Sequence, residues 1–345
     1  MKALVLRVLV SAVLLLSAAV ASAQPFRSWL TNVSGHGYIQ LPSSASLNFS
    51  GGSFTFEAWV AVQGSGCTSL AGNSFTTAQW IGICGNELRS YISGSSSQYT
   101  IGSVPANDWT HVAVTYDAVT KLHSHYVDGE LVGQRTWEAG VTASPAAWRI
   151  FSDISYEFTP VGAIDEVRFW NVARTRDQIR SRINRLITAA QPGLVAVYSL
   201  DATANDVVGS LHGTKNGSAN YLNGAITTGC TTSTNTLCVG PSGRFALSAT
   251  WKTASASGVA KVVPYQTSDS GLFTFFSDSN WEMTVKVLNG CPVNTRWWVF
   301  ASGLTDQHVE LVVTDQQHGE TIRYFNYFGQ PFNLNSDVDA FATCP

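Results

Sequence analysis

The sequence predicts an all-β protein built as two sandwiches. Three observations carry this reading: many short segments in which apolar and polar residues alternate, turn residues between them, and one stretch with helical spacing. Few residues are charged, while Ser, Thr, Asn and Gly are plentiful, a composition that suits sheets with polar outer faces joined by turns.

In chain order, Tyr38-Ile39-Gln40-Leu41 opens the strands, and Ser53–Val62 (SFTFEAWVAV) puts Phe54, Phe56, Ala58 and Val60 on one face. Trp109–Tyr116 (WTHVAVTY) is a further strand, and Tyr126–Glu130 (YVDGE) runs into an Asp-Gly hairpin turn. Ala163–Trp170 (AIDEVRFW) alternates again, and Leu194–Leu200 is the last clear strand of this half. One helix interrupts them. Thr175-x-x-Gln178 is a capping box, and Ile179, Ile183, Leu186 and Ile187 follow at helical spacing, leaving Arg176, Arg180, Arg182 and Arg185 mostly on the solvent side. The second half resumes with Arg244–Thr253, Leu272–Phe276, Trp281–Leu288 and Arg296–Ala301. His308–Asp315 and Thr321–Phe328 then flank a polar turn. The division expected is a signal peptide at 1–23, a first β domain at 31–224, a disulfide-stapled linker at 225–243 and a smaller β-sandwich at 244–345.

The ends and the cysteines bear on compartment. Lys2 and Arg7 precede an apolar run, and Ala21-Ser22-Ala23 is a small-x-small cleavage pattern, so export is expected, with cleavage after Ala23. A membrane anchor is the alternative, but the run is short for a spanning helix, and no other long apolar run follows. Cys67, Cys84, Cys230, Cys238, Cys291 and Cys344 make an even set, for which disulfides are the default in an exported chain. Neighbour pairing is the simplest arrangement. Zinc would want close Cys-x-x-Cys or His spacing, and neither is present. Losing Lys2 and Arg7 takes the formal charge from −3 to −5, which argues against nucleic acid as a partner.

Five ordered motifs give a resemblance: Gly37–Val60, Trp109–Asp117, Tyr126–Gly133 (YVDGELVG), Gly162–Ile179 (GAIDEVRFWNVARTRDQI) and Gly193–Thr214. Together they resemble the LamG-like jelly roll of the concanavalin A-like lectin/glucanase superfamily. The resemblance implies two antiparallel sheets packed face to face, binding to glycans, proteins or surfaces, and often a structural calcium ion. On that basis Asp165 is a candidate calcium ligand, completed by main-chain oxygens, and Asp206 is a second candidate. The plainer reading is that Asp165 and Glu166 cap the strand or pair with Arg168. From about Cys230 onward the chain resembles an uncharacterised C-terminal domain of exported bacterial proteins, which implies lineage more than activity.

No catalytic constellation is evident. Glycosidases need two carboxylates facing one bond, whereas Asp165 and Glu166 are adjacent and a regular strand would point them to opposite faces. His123 and His125 share a strand face; they are candidate metal ligands or ordinary groove histidines. Trp297 and Trp298 are adjacent on a strand, so one should face outward as a candidate sugar-ring platform or interface residue, the plainer reading being that the aromatics of this half fill a small core. The expected function is a secreted, non-catalytic protein recognising a glycan or surface polymer. A structural or adhesion protein meeting other proteins is the alternative, and a polysaccharide hydrolase the third reading.

Overall fold

The computed structural model describes residues 28–32, 36–152 and 161–345. The segment read as a signal peptide lies outside the described residues. Every strand pairing is antiparallel, and the strands form four sheets in two sandwiches.

The first sandwich has an eight-stranded sheet. Its order in space is Glu130–Thr136, Leu122–Val127, Thr110–Asp117, Phe54–Val62, Gly162–Trp170, Ser28–Asn32 and Asn220–Asn223, with Leu194–Tyr198 also on Gly162–Trp170. Facing it is a seven-stranded sheet ordered Thr214–Asn216, Tyr38–Gln40, Arg149–Ile150, Cys67–Gly72, Trp80–Cys84, Glu87–Tyr91 and Tyr99–Ser103. Phe54, Phe56 and Phe169 from one sheet and Ile81, Ile83, Leu88 and Ile150 from the other fill the space between them. Full burial of each such side chain stabilises the fold by about 1.5–3 kcal/mol. The hairpins spanning Cys67 to Ser103 carry no clear alternation in the sequence, because Gly, Ser and Thr occupy many of their outward positions.

All nine residues of Phe54–Val62 are buried, so this strand is covered on its outer face too. The cover is the segment from Thr175 to Ile187 together with the second sandwich. The segment begins with the expected capping box, but the α-helix is only Arg176–Arg180, shorter than the apolar spacing predicts. The reason is competition for its carbonyls. Trp59 Nε1 donates to Ile183 O at 2.8 Å, and Arg168 donates to Arg182 O at 2.9 Å and Arg185 O at 2.7 Å. At the helix end itself, Gln178 O is taken by Arg174 Nη2, and the Arg182 N–H turns to Ile179 O at 3.1 Å instead of continuing the α-helical pattern. Ile179, Ile183 and Ile187 are buried as expected, while Leu186 is about half exposed.

The second sandwich packs two five-stranded sheets. One holds Leu237–Val239, Phe245–Lys252, His308–Asp315 and Glu320–Asn326, with Ser257–Val259 alongside Phe245–Lys252. The other holds Lys261–Val262, Ser270–Thr274, Trp281–Asn289, Trp297–Gly303 and Asn335–Phe341. Leu237–Val239 falls within the stretch read as linker. It pairs with Phe245–Lys252 instead, and the Cys230–Cys238 bridge ties the approach to that edge. The other bridges are Cys67–Cys84, opposite each other on neighbouring strands, and Cys291–Cys344. Arg244 forks onto Asp315 at 3.0 and 2.6 Å and also donates to Thr343 O at 2.7 Å, fastening the C-terminal end to the sheet.

The arginines expected on the solvent side divide. Arg176 and Arg182 are exposed, but Arg180 lies 3.5 Å over the Tyr327 ring and pairs with Glu130. Arg185 reaches Asp337 at 2.8 Å. Trp59 stacks on Phe325 with centroids 6.4 Å apart. The segment therefore lies between the two sandwiches and holds both.

Candidate functional site

With the outer face of the eight-stranded sheet covered, the outer face of the seven-stranded sheet is the surface to examine. Ile39 and Ile150 point inward and are fully buried, so Tyr38, Gln40 and Arg149 point outward, and each keeps part of its surface in solvent. Arg149 stacks 4.3 Å over the Tyr38 ring and donates through Nε to Gln40 Oε1 at 3.0 Å. Gln40 is fixed in turn by donating to Trp148 O at 3.1 Å. Further along the same face, Trp80, Phe75 and Tyr91 form an aromatic cluster beside the Cys67–Cys84 bridge. Trp80 lies flat across Gly82, where an added Cβ would fall 2.4 Å from the ring. Its indole N–H donates to Ser69 Oγ at 2.6 Å. The half-buried Arg89 continues the face and is held by Thr100 Oγ1 at 3.0 Å. Trp80 and Tyr91 are buried and form the floor, so the groups that meet solvent are Tyr38, Gln40, Arg149 and Arg89, planar hydrogen-bonding side chains held by their neighbours, which suit the hydroxyl rim of a sugar ring.

A second feature lies in the strand Gly162–Trp170. Asp165 and Glu166 do not alternate as a regular strand would require. The register shifts between Asp165 and Arg168, Glu166 adopts φ 49°, and both side chains are buried. Asp165 Oδ1 accepts the Glu166 N–H at 3.0 Å, and Arg168 pairs with Glu166 at 2.9 Å. Asp165 Oδ2 and Glu166 Oε1 have no hydrogen-bond partner among the described residues. Burial raises the pKa of both, and the Asp201 carboxylate raises each further. Asp201 stands between Leu200 at φ 56° and Ala202 at φ 66°, so left-handed backbone at three non-glycine residues gathers around these acids. Asp201 also opens onto a cleft of ≈ 860 Å³ between the sandwiches, where Arg182, Arg185, Arg296 and Asp337 converge.

Asp206 is elsewhere engaged. Its Oδ1 accepts from the N–H groups of Val197 and Val208, and its Oδ2 from that of Leu211, each at 3.2 Å, so it staples its own loop to the neighbouring strand. The acid that faces Asp165 is Asp201. The sequence hid this because the turn's left-handed residues are leucine and alanine, which give no turn signal. Among the described residues no three His, Cys, Asp or Glu side chains are grouped as a metal site. Even so, the unpartnered oxygen of Asp165 beside the Asp201 charge fits a hard cation that takes further oxygens from main chain and water.

His123 and His125 are fully buried and meet at Ser90 Oγ, 2.8 Å from one Nε2 and 2.7 Å from the other. His125 Nδ1 faces Ile101 O at 3.2 Å, and a carbonyl only accepts. His125 therefore carries its proton on Nδ1. Ser90 donates to His125 Nε2, and His123 Nε2–H donates to Ser90. Burial holds both imidazoles below their ordinary pKa, His125 at about 4. This is an internal chain of neutral donors and acceptors that ends at His123 Nδ1, which has no hydrogen-bond partner among the described residues.

Of the two adjacent tryptophans, Trp297 is 3% exposed and packs against Phe245 at 4.9 Å, which removes it as a platform. Trp298 is half-buried, lies over Gly290 and donates to Asn294 Oδ1 at 2.9 Å. Phe276 and Trp281, each 52% exposed, stand out together with Phe328 at 55% and Tyr265 at 75%. The alternation argument made for Trp297 and Trp298 applies equally to the neighbouring pair Phe275-Phe276, and would have found the first of these.

A family model described as the concanavalin A-like lectin/glucanases superfamily matches residues 33–180. No curated protein matches. Among solved structures, a candidate carbohydrate-binding protein from Bacteroides ovatus is similar at 24% identity with a TM-score of 0.49, over 57% of this chain. The chain spans 60% of that protein. A heptameric SAP-like pentraxin from Limulus polyphemus is similar at 10% identity and TM-score 0.40, over 59% of this chain and 97% of that one. A Ruminococcus gnavus IT-sialidase CBM40 is similar at 13% identity and TM-score 0.38, over 45% of this chain and 96% of that one.

Proposed function

Because residues 33–180 belong to the concanavalin A-like lectin/glucanases superfamily, we propose that this chain is a secreted, non-catalytic protein that binds a glycan or surface polymer through the outer face of its seven-stranded sheet. The observation that carries the reading is the set Tyr38, Gln40 and Arg149, partly exposed and held by one another, on the outer face of the seven-stranded sheet, away from the face covered by the Thr175–Ile187 segment.

A non-catalytic role is supported by what the buried acids do. Glu57 Oε1 accepts from Trp170 Nε1 at 2.7 Å and Arg174 at 2.6 Å beneath the covering segment, and Glu166 is held by Arg168. Carboxylates sealed in this way do not flank an open cleft as glycoside hydrolysis requires. Secretion is supported by the N-terminal pattern and by three disulfides, which persist in oxidising compartments. Among the described residues no helix is long and apolar enough to cross a membrane. Calcium belongs to the same reading: Asp165 and Asp201 would hold it, and its charge would offset the repulsion between these carboxylates.

The test is a glycan array with the mature protein, with and without added calcium, repeated with Arg149→Ala and Gln40→Ala. Binding to a defined set of glycans, weakened about tenfold by either substitution, is expected. Failure to bind any glycan, together with capture by protein ligands, favours the adhesion reading. Unchanged binding by both variants removes the sheet face from the proposal.

A further inference from the structure

A groove on the second sandwich has a different composition from the rest of the surface. It encloses ≈ 530 Å³, within the roughly 300–1,000 Å³ typical of small-ligand sites. One wall is apolar: Phe276, 52% exposed, and Leu304, 88% exposed, with Pro331 and Phe332 behind them. The other wall carries Glu282, Thr305, Asp306 and Gln307.

Glu282 departs from the strand's alternation. In a regular strand it would alternate with Trp281 and Met283. The register between Ser270–Thr274 and Trp281–Asn289 instead pairs Phe273 with Met283 and Thr274 with Trp281, leaving Glu282 as an extra residue. Such a bulge re-aims a side chain. Here it turns the carboxylate inward while Trp281 stays exposed. Glu282 is only 5% exposed and takes a hydrogen bond from Asn280 Nδ2. Burial raises its pKa, and hydrogen bonds from Thr305 and Asn280 offset part of that rise. The floor is fixed by main-chain bonds: Leu304 N–H to Glu282 O at 2.8 Å and Gly303 N–H to Phe332 O at 3.0 Å. The Phe276 ring is braced edge-on by Trp251, with centroids 4.9 Å apart.

We infer that this groove is a second carbohydrate site, taking a neutral pyranose oligosaccharide whose C–H face lies on Phe276 and Leu304 and whose hydroxyls donate to Glu282 and Asp306. The chemistry selects this ligand on two grounds. An aromatic ring beside hydrogen-bonding acceptors matches the two kinds of surface a pyranose presents. No Lys or Arg lines the groove, whereas two carboxylates do, so uronates and sialic acids are repelled. The site lies apart from the seven-stranded sheet and stands or falls independently of it.

The experiment titrates the full mature protein with cellotetraose, maltotetraose and mannotetraose, and with trigalacturonate as the acidic control, by calorimetry and tryptophan fluorescence. The expected result is binding of at least one neutral tetrasaccharide and not of trigalacturonate. Phe276→Ala and Glu282→Gln should each weaken it about tenfold. Val119→Ala, an exposed position of the first sandwich outside both proposed sites, should leave this binding unchanged. Phe276 is half exposed, so its substitution leaves the core intact, and an unchanged melting curve will verify this. No binding by any neutral probe overturns the inference, as does binding that survives both groove substitutions or disappears only with Arg149→Ala on the first sandwich.

Discussion

Arg185 Nη1 lies 2.8 Å from Asp337 Oδ1, joining the segment that covers the first sandwich to the last strand of the second. Asp337 is 2% exposed, and its other oxygen accepts from Tyr324 Oη at 2.9 Å. Removing the arginine leaves a buried carboxylate without its cation, held by Tyr324 and by the Asp339 N–H, which Oδ1 accepts at 3.1 Å. Arg185→Ala should cost about 1–3 kcal/mol. Thermal unfolding and limited proteolysis would register this as a lower Tm and faster cleavage between the sandwiches. An unaltered melt would mean that the junction owes nothing to this pair.

The Ser90–His123–His125 chain makes stability depend on pH in a set direction. Unfolded histidine titrates near 6.5, whereas burial keeps His125 neutral down to about 4 and His123 below its ordinary value. Between those values the unfolded chain binds protons that the native form refuses, so stability falls as pH falls from 6.5 towards 4. For His125 alone the full loss is about 3 kcal/mol. Denaturant unfolding at a series of pH values would reveal it, and a His123→Gln/His125→Gln variant should have a flatter profile over that window. Equal slopes in the two proteins would assign the pH dependence to other groups.

Gly82 is required by the ring that crosses it. A methyl group there would fall 2.4 Å from two Trp80 carbons and 2.5 Å from Thr68 O. Gly82→Ala should therefore displace Trp80 and cost about 1–3 kcal/mol. Because the buried Trp80 packs beneath the face of the proposed glycan row, its displacement should weaken glycan binding through packing, and intrinsic fluorescence should report the moved indole. Retention of both the native spectrum and the native stability would refute the packing argument.

Calcium binding has a discriminating pair of variants. If Asp165 and Asp201 hold the ion, calcium at a hundred times its Kd should stabilise the native protein by about 2.7 kcal/mol. Asp201→Asn should abolish that increment. Asp206→Asn should lower the starting Tm, because it weakens three backbone contacts, yet leave the increment in place. An increment that survives Asp201→Asn would retire the assignment.

The sequence made the strand faces legible wherever one face is apolar, because alternation is a purely local signal: Phe54, Phe56, Ala58 and Val60 all point into the core. It did not reveal what covers the other face. The spacing of Ile179, Ile183 and Ile187 marks the buried side of the segment. Whether Arg180 and Arg185 meet water or Tyr327 and Asp337 depends on a partner more than a hundred residues away. The helix stops early for a similar reason, since Arg174 takes the carbonyl at its end and Trp59 and Arg168 take those just beyond it. Asp201 and Glu282 escaped because each is aimed by a local irregularity, a left-handed turn in one case and a bulge in the other, and neither leaves a mark in the alternation.

The Thr175–Ile187 segment grips one sandwich through its carbonyls and the other through its arginines. With the junction held in this way, the distance between the sheet face and the second-sandwich groove is a constant of the molecule. If both proposed sites take the same polymer, one bound at either place would be presented to the other at a fixed local concentration, and two weak contacts would add to an avidity neither has alone. Such an arrangement would measure length, favouring chains whose repeat matches the spacing over short fragments that reach only one end.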